Sequence, residues 1–145
     1  MPTSPSSYRH FVGMDAWGAS PLALVYRYRL FQALLLEVGG FGAPEALALF
    51  TGGVVVVFHQ SDRLMVYSGV GASACLVGDT SFDFLYGRVG LGVKLGASRR
   101  QTLSAGIGVW SGLYRKYDHD THALRTDAQF TIPMAGLSYG VGFGN

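Results

Sequence analysis

The sequence is short of cysteine, proline and charge. Its single cysteine, Cys75, excludes an internal disulfide and any zinc site built from several cysteines. Charged residues make up 14% of the chain, against about a quarter in a typical soluble domain. A disordered chain needs high charge and few apolar residues, so this composition excludes one. No stretch of 18 apolar residues runs free of charge, and a transmembrane helix is therefore poorly supported.

Glycine, by contrast, is abundant, with 21 residues among 145. Collagen is excluded because the glycines have no period of three and there are only five prolines. The net charge is +2 and the basic residues are scattered, so we expect no nucleic-acid partner. The length fits one domain.

The N-terminal residues 1–7 are polar and proline-rich and are predicted to form a disordered tail ahead of a single domain at 8–145. They contain neither the basic n-region nor the apolar h-region of a secretory signal. Two explanations stay open: the protein is not exported, or its signal is not part of this sequence.

Apolar residues alternate with small or polar ones from residue 63 onward, which is the period of a β-strand. In residues 85–95 the odd positions hold Leu, Val and Gly, and the even positions hold Tyr, Arg, Gly and Lys. Short polar stretches separate long segments of this kind, and neighbouring long strands joined by short turns form an antiparallel meander. The predicted strands are 45–59, 63–77, 82–96, 101–116 and 125–143.

The first third of the chain has a weaker pattern. Residues 8–17 alternate weakly, and residues 21–38 fit either a strand or a helix that begins at Ser20-Pro21 and ends at Gly39-Gly40. The strand is preferred, because Arg27 and Arg29 would lie about 200° apart on a helix and would interrupt its apolar stripe. One long strand and a hairpin that turns near residues 30–32 both stay open, since no Gly, Pro or Asn marks a turn there.

Two all-β folds share this alternation, and they differ in which face meets water. In a soluble sandwich or barrel the Leu/Val face is the core, and the Gly-rich face would meet water, where glycine contributes nothing. In a membrane barrel the Leu/Val face meets lipid, and small residues on the other face make room for Tyr86, Arg88, Trp110 and Tyr114 in a narrow lumen. The low charge favours the membrane barrel.

The chain resembles small bacterial outer-membrane β-barrels of the OmpA/OmpX size class, well over residues 45–143 and loosely over 8–44. Its last strand is similar to their C-terminal pattern of a glycine followed by spaced apolar and aromatic residues, with Gly136, Tyr139, Val141 and Phe143. Met134 and the two residues after Phe143 depart from that pattern. The resemblance implies recognition by the barrel-assembly machinery, insertion in the membrane lipid of the outer membrane, and a porin-like, closed up-and-down antiparallel barrel.

An even strand number is the rule for single-chain bacterial barrels. Counting 21–38 as a hairpin gives eight strands, and the count of six or seven stays open. Both chain ends and the turns at 60–63 and 97–100 are then periplasmic. The outer loops are predicted at 39–45, 78–81 and 116–125.

Polar side chains of this barrel would project into the lumen. They are Arg27, Arg29, Glu37, Arg88, Lys94, Trp110 and Tyr114. Four of them are cations and one is an anion, so Asp15, Asp83 or an anionic ligand has to supply the balance. The preferred interpretation is an ion-pair network that fills the interior, because buried polar groups need partners. The alternative is a selectivity lining or a binding site.

Three other groups of residues have a possible function. His59 and Ser61 have the spacing of the pair in outer-membrane lipid A deacylases, but a polar turn is the preferred interpretation. Asp118, His119, Asp120 and His122 offer mixed metal ligands, although a solvated loop is preferred and no metal or cofactor is expected. Aromatic residues near strand ends are predicted to form interfacial girdles; they are Trp17, Tyr26, Tyr28, Tyr117, Tyr139 and Phe143.

The resulting functional expectation is a non-enzymatic outer-membrane barrel that anchors the envelope or presents its outer loops to an envelope protein partner. A narrow pore for a small solute is the first alternative. A lipid-modifying enzyme that uses His59 and Ser61 is the second.

Overall fold

A computed structural model describes residues 8–17, 23–43 and 47–144, apart from the side chains of Trp17 and Ala43. The predicted tail at residues 1–7 lies outside this part. The strands are β1 (His10–Trp17), β2 (Ala23–Phe31), β3 (Leu34–Ala43), β4 (Leu47–Gln60), β5 (Leu64–Val77), β6 (Thr80–Leu95), β7 (Gln101–Asp118) and β8 (Ala123–Phe143). Each pairs antiparallel with the next, and β8 pairs with β1, which closes a barrel. The all-β, eight-stranded prediction is confirmed.

No helix in the described ranges is long and apolar enough to cross a membrane.

The strands are tilted because the register does not return to its starting point around the barrel. Following paired residues from Val12 on β1 through all eight strands leads to Thr131 on β8. Val12 itself pairs with Val141, ten residues further along β8. A shift of this size between eight strands corresponds to a tilt of about 40° from the barrel axis, and an interior of this size is filled by side chains.

Residues 21–38 contain a hairpin, as the eight-strand count required. β2 ends at Phe31 and β3 begins at Leu34, with Gln32 and Ala33 in the turn. The register shifts between Arg29 and Phe31, and the Arg29 guanidinium donates to the Gln32 carbonyl at 2.7 Å. Neither turn residue has a positive φ, so the turn needs no glycine or asparagine, and the sequence carried no signal for it.

All three predicted outer loops are too long. The loop at 78–81 shrinks to residues 78 and 79, because Thr80 and Ser81 belong to β6 and pair with β5. The loop at 39–45 is wrong at its start, because Gly39 and Gly40 belong to β3 and pair with β2 and β4. A Cβ on Gly40 would come within 2.8 Å of the Leu49 carbonyl oxygen, so glycine lets the two backbones approach. The loop at 116–125 shrinks to residues 119–122, since β7 and β8 stay paired to Asp118 and Ala123.

The outside of the barrel is apolar. Leu85, Val89, Leu91 and Val93 on β6 are all at least 46% exposed, whereas Tyr86 and Arg88 between them are buried. Hydrophobic residues that are at least 60% exposed occur on six of the eight strands. They are Leu24, Phe31, Phe50, Phe58, Val70, Leu85, Ile107 and Leu137. Soluble monomers rarely expose apolar patches larger than a few hundred Å², so this belt is the lipid-facing surface of a membrane barrel.

Glycines on the lumen face make room for large side chains of neighbouring strands. A Cβ on Gly90 would lie 2.5 Å from the Tyr67 hydroxyl and 2.8 Å from the Ala105 carbonyl oxygen. A Cβ on Gly71 would lie 2.5 Å from both the Gly52 carbonyl oxygen and the Tyr86 ring. Tyr67 and Tyr86 in the lumen therefore pack directly against the backbone of these glycines.

We expect Gly90→Ala to destabilise the barrel by about 1–3 kcal/mol, because the added methyl group must displace Tyr67 or the backbone of β7. Gly87→Ala is the matched control on the same strand, since nothing lies within 4 Å of a Cβ there. The measurement is urea unfolding in detergent micelles. Equal stability of the two variants would contradict the fit of Tyr67 against Gly90.

Candidate functional site in the barrel lumen

Four charged side chains from four strands form a closed ring of ion pairs near the middle of the lumen, which we call the ion-pair ring. It consists of Asp15 on β1, Arg27 on β2, Glu37 on β3 and Arg88 on β6. Arg27 and Glu37 are direct cross-strand neighbours. Arg88 comes from the opposite wall, because β6 is four strands away from β2 in a ring of eight. The ion-pair ring therefore spans the full diameter of the barrel.

Each acid of the ion-pair ring accepts from both arginines. Glu37 Oε2 lies 2.5 Å from Arg27 Nε and 2.5 Å from Arg88 Nη2. Asp15 Oδ2 lies 2.7 Å from Arg27 Nη2 and 3.3 Å from Arg88 Nη1. The second oxygen of Glu37 accepts from the Tyr86 hydroxyl at 3.1 Å. Two anions balance two cations, and of the two candidates for that balance it is Asp15 that joins the ring.

Asp83 lies elsewhere. It accepts from the Ser81 hydroxyl at 3.1 Å and lies 3.5 Å from Arg115 Nε, near the outer end of the barrel.

Aromatic residues fill the lumen on the outer side of the ion-pair ring. Trp110 stacks on Phe84 with ring centroids 4.6 Å apart, and Tyr114 packs against Phe82 at 4.9 Å. Trp110 and Phe84 belong to a buried apolar cluster that includes residues of β2, β4 and β8. Trp110 and Tyr114 thus help to close the outer half of the lumen.

The end of the barrel where β1 begins and β8 ends is predicted to be periplasmic, and we call it the periplasmic side. There the lumen holds Arg29 and Lys94. Arg29 donates to the Gln32 carbonyl and to Gln60 Oε1 at 3.1 Å, and its guanidinium lies 5.5 Å from the Phe11 ring centroid. Lys94 donates to the Ser61 carbonyl at 3.2 Å. Neither belongs to the ion-pair ring, so the cations predicted for the lumen divide into two groups at different heights.

Two cavities of about 50 Å³ each flank the ion-pair ring, one on either side. A cavity needs about 10–15 Å³ to hold one water molecule, so each has room for a few waters. Arg88 lines both cavities and separates them. The interior is thus a filled core with two small chambers.

The residues of the C-terminal pattern lie on β8. Tyr139, Val141 and Phe143 point outward, each at least 37% exposed, and Gly136 pairs with Trp17 and Gly106. Their recognition by an assembly machinery stays a prediction.

Three of the predicted girdle residues surround His10 at the periplasmic end. The His10 ring stacks on Phe143 at 5.3 Å and contacts the rings of Tyr26 and Tyr28. Phe31 and Phe58 are about 70% exposed at the same end, although no sequence pattern predicted them as girdle residues. Tyr139 also points outward, four residues before Phe143. Only the structure shows that the two phenylalanine side chains, Phe31 and Phe58, are exposed next to turns, as girdle residues would be.

The other predicted girdle residues do not join this group. Tyr117 lies near the tip of the β7–β8 hairpin, against His119. The Trp17 side chain lies outside the described part of the structure.

The structure does not join His59 to Ser61. The Ser61 hydroxyl accepts from the backbone N–H of Leu64 at 3.0 Å and lies 3.4 Å from that of Arg63. It therefore stabilises the β4–β5 turn. His59 is exposed beside an irregularity in the β4–β5 register. Nucleophilic activation of a serine needs a base within hydrogen-bond reach, and this arrangement supplies none among the described residues.

Three of the four candidate metal ligands at the β7–β8 tip, Asp118, His119 and His122, have side-chain contacts with different partners. Asp118 accepts from the backbone N–H of Asp120 at 2.9 Å and pairs with Arg125. His119 contacts Asp79 at 3.0 Å, and His122 contacts the Tyr117 hydroxyl. Within the described ranges, no three metal-ligating side chains lie together in a group that could hold an ion.

The β7–β8 hairpin rises above the rest of the outer rim. β8 pairs with β1 only from Gly136 to Phe143, whereas it pairs with β7 from Ala123 onward. Residues 123–129 are exposed on both faces of the strand and include Arg125, Asp127 and Gln129. A lipid-embedded strand would be apolar on its outer face, so this segment stands in water beyond the bilayer.

Known proteins resemble this chain in fold, but no protein family matches its sequence. No protein-family model matches the chain, and no curated protein matches it. The solution NMR structure of the de novo designed TMB2.3 aligns over 96% of this chain and 97% of its own, with a TM-score of 0.50 and 17% identity. The solid-state NMR structure of outer membrane protein AlkL in DMPC lipid bilayers aligns over 98% and 92%, with a TM-score of 0.46 and 14% identity.

At such identities the likeness concerns the fold alone. Closed antiparallel barrels with an even strand number and an outward apolar band are the outer-membrane type. The eight-stranded ring and its exposed apolar belt make this chain a small transmembrane β-barrel of that type.

Proposed function

We propose that this protein is a non-enzymatic, non-conducting barrel of the bacterial outer membrane that presents its β7–β8 hairpin to an envelope or extracellular protein partner. The observation that carries the proposal is the ion-pair ring, which crosses the whole lumen. Three of its four side chains are buried, with Glu37 only 3% exposed and Arg88 only 6%, and the Arg27 side chain is 18% exposed. A pore would need these groups to be separated and hydrated.

The packing on both sides of the ion-pair ring supports the same proposal. Stacked Trp110 and Phe84 fill the outer half, and Leu35, Val55, Val57 and Tyr67 form a second buried cluster in the periplasmic half. Each remaining cavity has room for only a few waters. A solute would have to displace packed side chains in three successive layers.

The β7–β8 hairpin is the part of the barrel best suited to a partner outside the membrane. Its outer residues 123–129 are exposed on both faces, include Arg125, Asp127 and Gln129, and project beyond the neighbouring β1 strand. On the β1 side, the backbone of residues 123–135 has no partner strand among the described residues. Unpaired strand edges are templates for added strands, so an extended segment of a partner is the expected ligand class.

Conductance in planar bilayers tests the closed lumen. We expect the wild-type barrel to give no single-channel steps, because the ion-pair ring and the aromatic layer stay closed at neutral pH. Arg88→Ala combined with Trp110→Ala removes both barriers and should produce small steps, whereas Arg63→Ala at the exposed β4–β5 turn should not. Steps in the wild type would overturn the proposal in favour of a pore.

Cysteine labelling in intact cells tests the orientation of the hairpin. In a Cys75→Ser background, we expect Asp120→Cys at the β7–β8 tip to react with a membrane-impermeant maleimide. Asp62→Cys, in the β4–β5 turn at the opposite end, should react only after the cells are lysed. The reverse pattern would place the hairpin in the periplasm and exclude an extracellular partner.

A further inference from the structure

The periplasmic chamber of the lumen has a charge distribution unlike that of the ion-pair ring. Three cations line it, namely Arg29, Lys94 and Arg99, and Arg27 and Arg88 form its inner boundary. Its lining contains no Asp or Glu. The two boundary arginines have their charges balanced by Asp15 and Glu37. The other three have no such balance within the chamber.

The acid that pairs with one of these three cations lies at the rim. Asp62 is 3.8 Å from the Arg99 guanidinium, and its side chain is 76% exposed. Ion pairs of this exposure contribute little. Arg29 and Arg99 repel the charge of Lys94, and exposed Asp62 attracts it, so three cations face one exposed anion. The chamber therefore concentrates positive charge that the described side chains do not neutralise.

Arg29 is the strongest evidence that something else supplies the negative charge. It is only 7% exposed, and among the described residues its side chain donates to two neutral oxygens, those of Gln32 and Gln60. Its Nε is buried and has no hydrogen-bond partner among the described residues. Burying a charge without a counter-charge is costly, so a bound anion would stabilise this arrangement.

The size of the chamber limits the anion. About 50 Å³ of cavity volume corresponds to roughly three or four water molecules, which is the room that one small oxyanion occupies. Arginine binds carboxylate and phosphate oxygens through two parallel N–H groups. The surrounding walls are apolar or aromatic, from Phe11, Leu35, Val57 and Tyr67, and such walls strengthen charge interactions by excluding water.

We propose that the periplasmic chamber binds a phosphate group between Arg29, Lys94 and Arg99. Two sources have this chemistry, free inorganic phosphate and the headgroup of an anionic phospholipid in the periplasmic leaflet. The site is separate from the β7–β8 hairpin and lies at the other end of the barrel.

The test uses the folded barrel in dodecyl maltoside, a detergent that carries no phosphate. Inorganic phosphate is titrated against chloride at constant ionic strength, and binding is followed through the Arg29 Nε–H signal in ¹H–¹⁵N NMR spectra. We expect a saturable shift. Arg29→Gln and Lys94→Gln should weaken the affinity at least tenfold, with binding followed in these variants through backbone amides of the chamber.

Arg63→Gln is the matched control, because Arg63 is an exposed arginine at the same end of the barrel that does not line the chamber. Its affinity should equal that of the wild type. If the buried variants fail to fold, Arg99→Gln at the rim provides the test and should weaken binding about threefold. A shift that does not saturate, or that Arg63→Gln weakens as much as the chamber variants, would overturn the proposal.

A second arm identifies the source of the phosphate group. Phosphatidylglycerol replaces inorganic phosphate in the micelles, and an uncharged glycolipid serves as the control. A saturable shift that competes with inorganic phosphate supports a headgroup ligand. A shift with inorganic phosphate alone supports the free anion, and no shift with either one contradicts the site.

Discussion

Glu37→Gln is expected to destabilise the barrel by about 3–5 kcal/mol, because it leaves buried Arg88 and largely buried Arg27 around a single carboxylate. Glu37 accepts from Arg27 and Arg88 at 2.5 Å and from the Tyr86 hydroxyl. Glutamine keeps the size of the side chain but has one accepting oxygen in place of two, so the loss combines the missing charge with one missing acceptor. Urea unfolding in detergent micelles gives the free energy.

A double variant separates the ion pair from a general loss of packing. Glu37→Gln with Arg88→Met leaves Asp15 and Arg27 as a balanced pair, so the double variant should be less destabilised than the sum of the two single variants. Asp79→Asn, at an exposed pair with His119, is the surface control and should leave unfolding unchanged. Additive losses would show that the ion-pair ring does not act as a unit.

Val89→Arg is expected to destabilise the barrel by about 2–4 kcal/mol, the cost of a charged side chain near the bilayer midplane on the lipid face. Val89 is 53% exposed and pairs with Ile107 and Ser68 near the middle of the apolar belt. In water an exposed Val→Arg replacement would cost little. The variant therefore reports which solvent the outer face meets, with folding into lipid vesicles as the measurement.

Leu124→Arg provides the control for position. Leu124 is 55% exposed, much like Val89, but it lies on the part of β8 that projects beyond the bilayer. Its replacement should leave stability close to that of the wild type. Equal losses of stability at the two positions would contradict the placement of Val89 within the membrane and of Leu124 outside it.

The outer surface of the barrel could be predicted from sequence because it depends on a local period. Along β6, the alternation of Leu85, Val89 and Leu91 with Tyr86 and Arg88 places apolar residues on one face whatever the partner strands are. The low charge and the many glycines then decide which face meets lipid. The same reasoning correctly required a hairpin within residues 21–38, through the even strand number.

The contacts inside the lumen depend on closure of the ring, which no local pattern encodes. Arg88 meets Glu37 because β6 lies opposite β2 and β3 after eight strands have closed with a ten-residue shift. Arg27 and Arg88 belong to the ion-pair ring, but Arg29 and Lys94 face another chamber, and their sequence positions show no difference of this kind. Arg99 was missed as a lumen residue because its turn was interpreted as polar and exposed.

Two local features could not be predicted, because the residues there do not indicate the backbone conformation that they adopt. The turn at Gln32 and Ala33 uses a register irregularity and a bond from Arg29, so the sequence shows no turn signal there. Gly39 and Gly40 suggested a loop, but they lie in β3 and allow its backbone to approach β2 and β4 closely. Glycine has both uses in barrels, and only the register of β3 against its neighbours distinguishes them.

Electrophoresis of the folded protein, unheated and boiled, tests the central claim most directly, with far-UV circular dichroism of the same sample. The account predicts that the protein needs detergent to fold, shows a β-sheet spectrum, and migrates differently before and after boiling because the closed barrel resists the denaturing detergent. A protein that is soluble without detergent and shows no change in migration would contradict the account. The Leu/Val face would then be a core, and the barrel would not span a membrane.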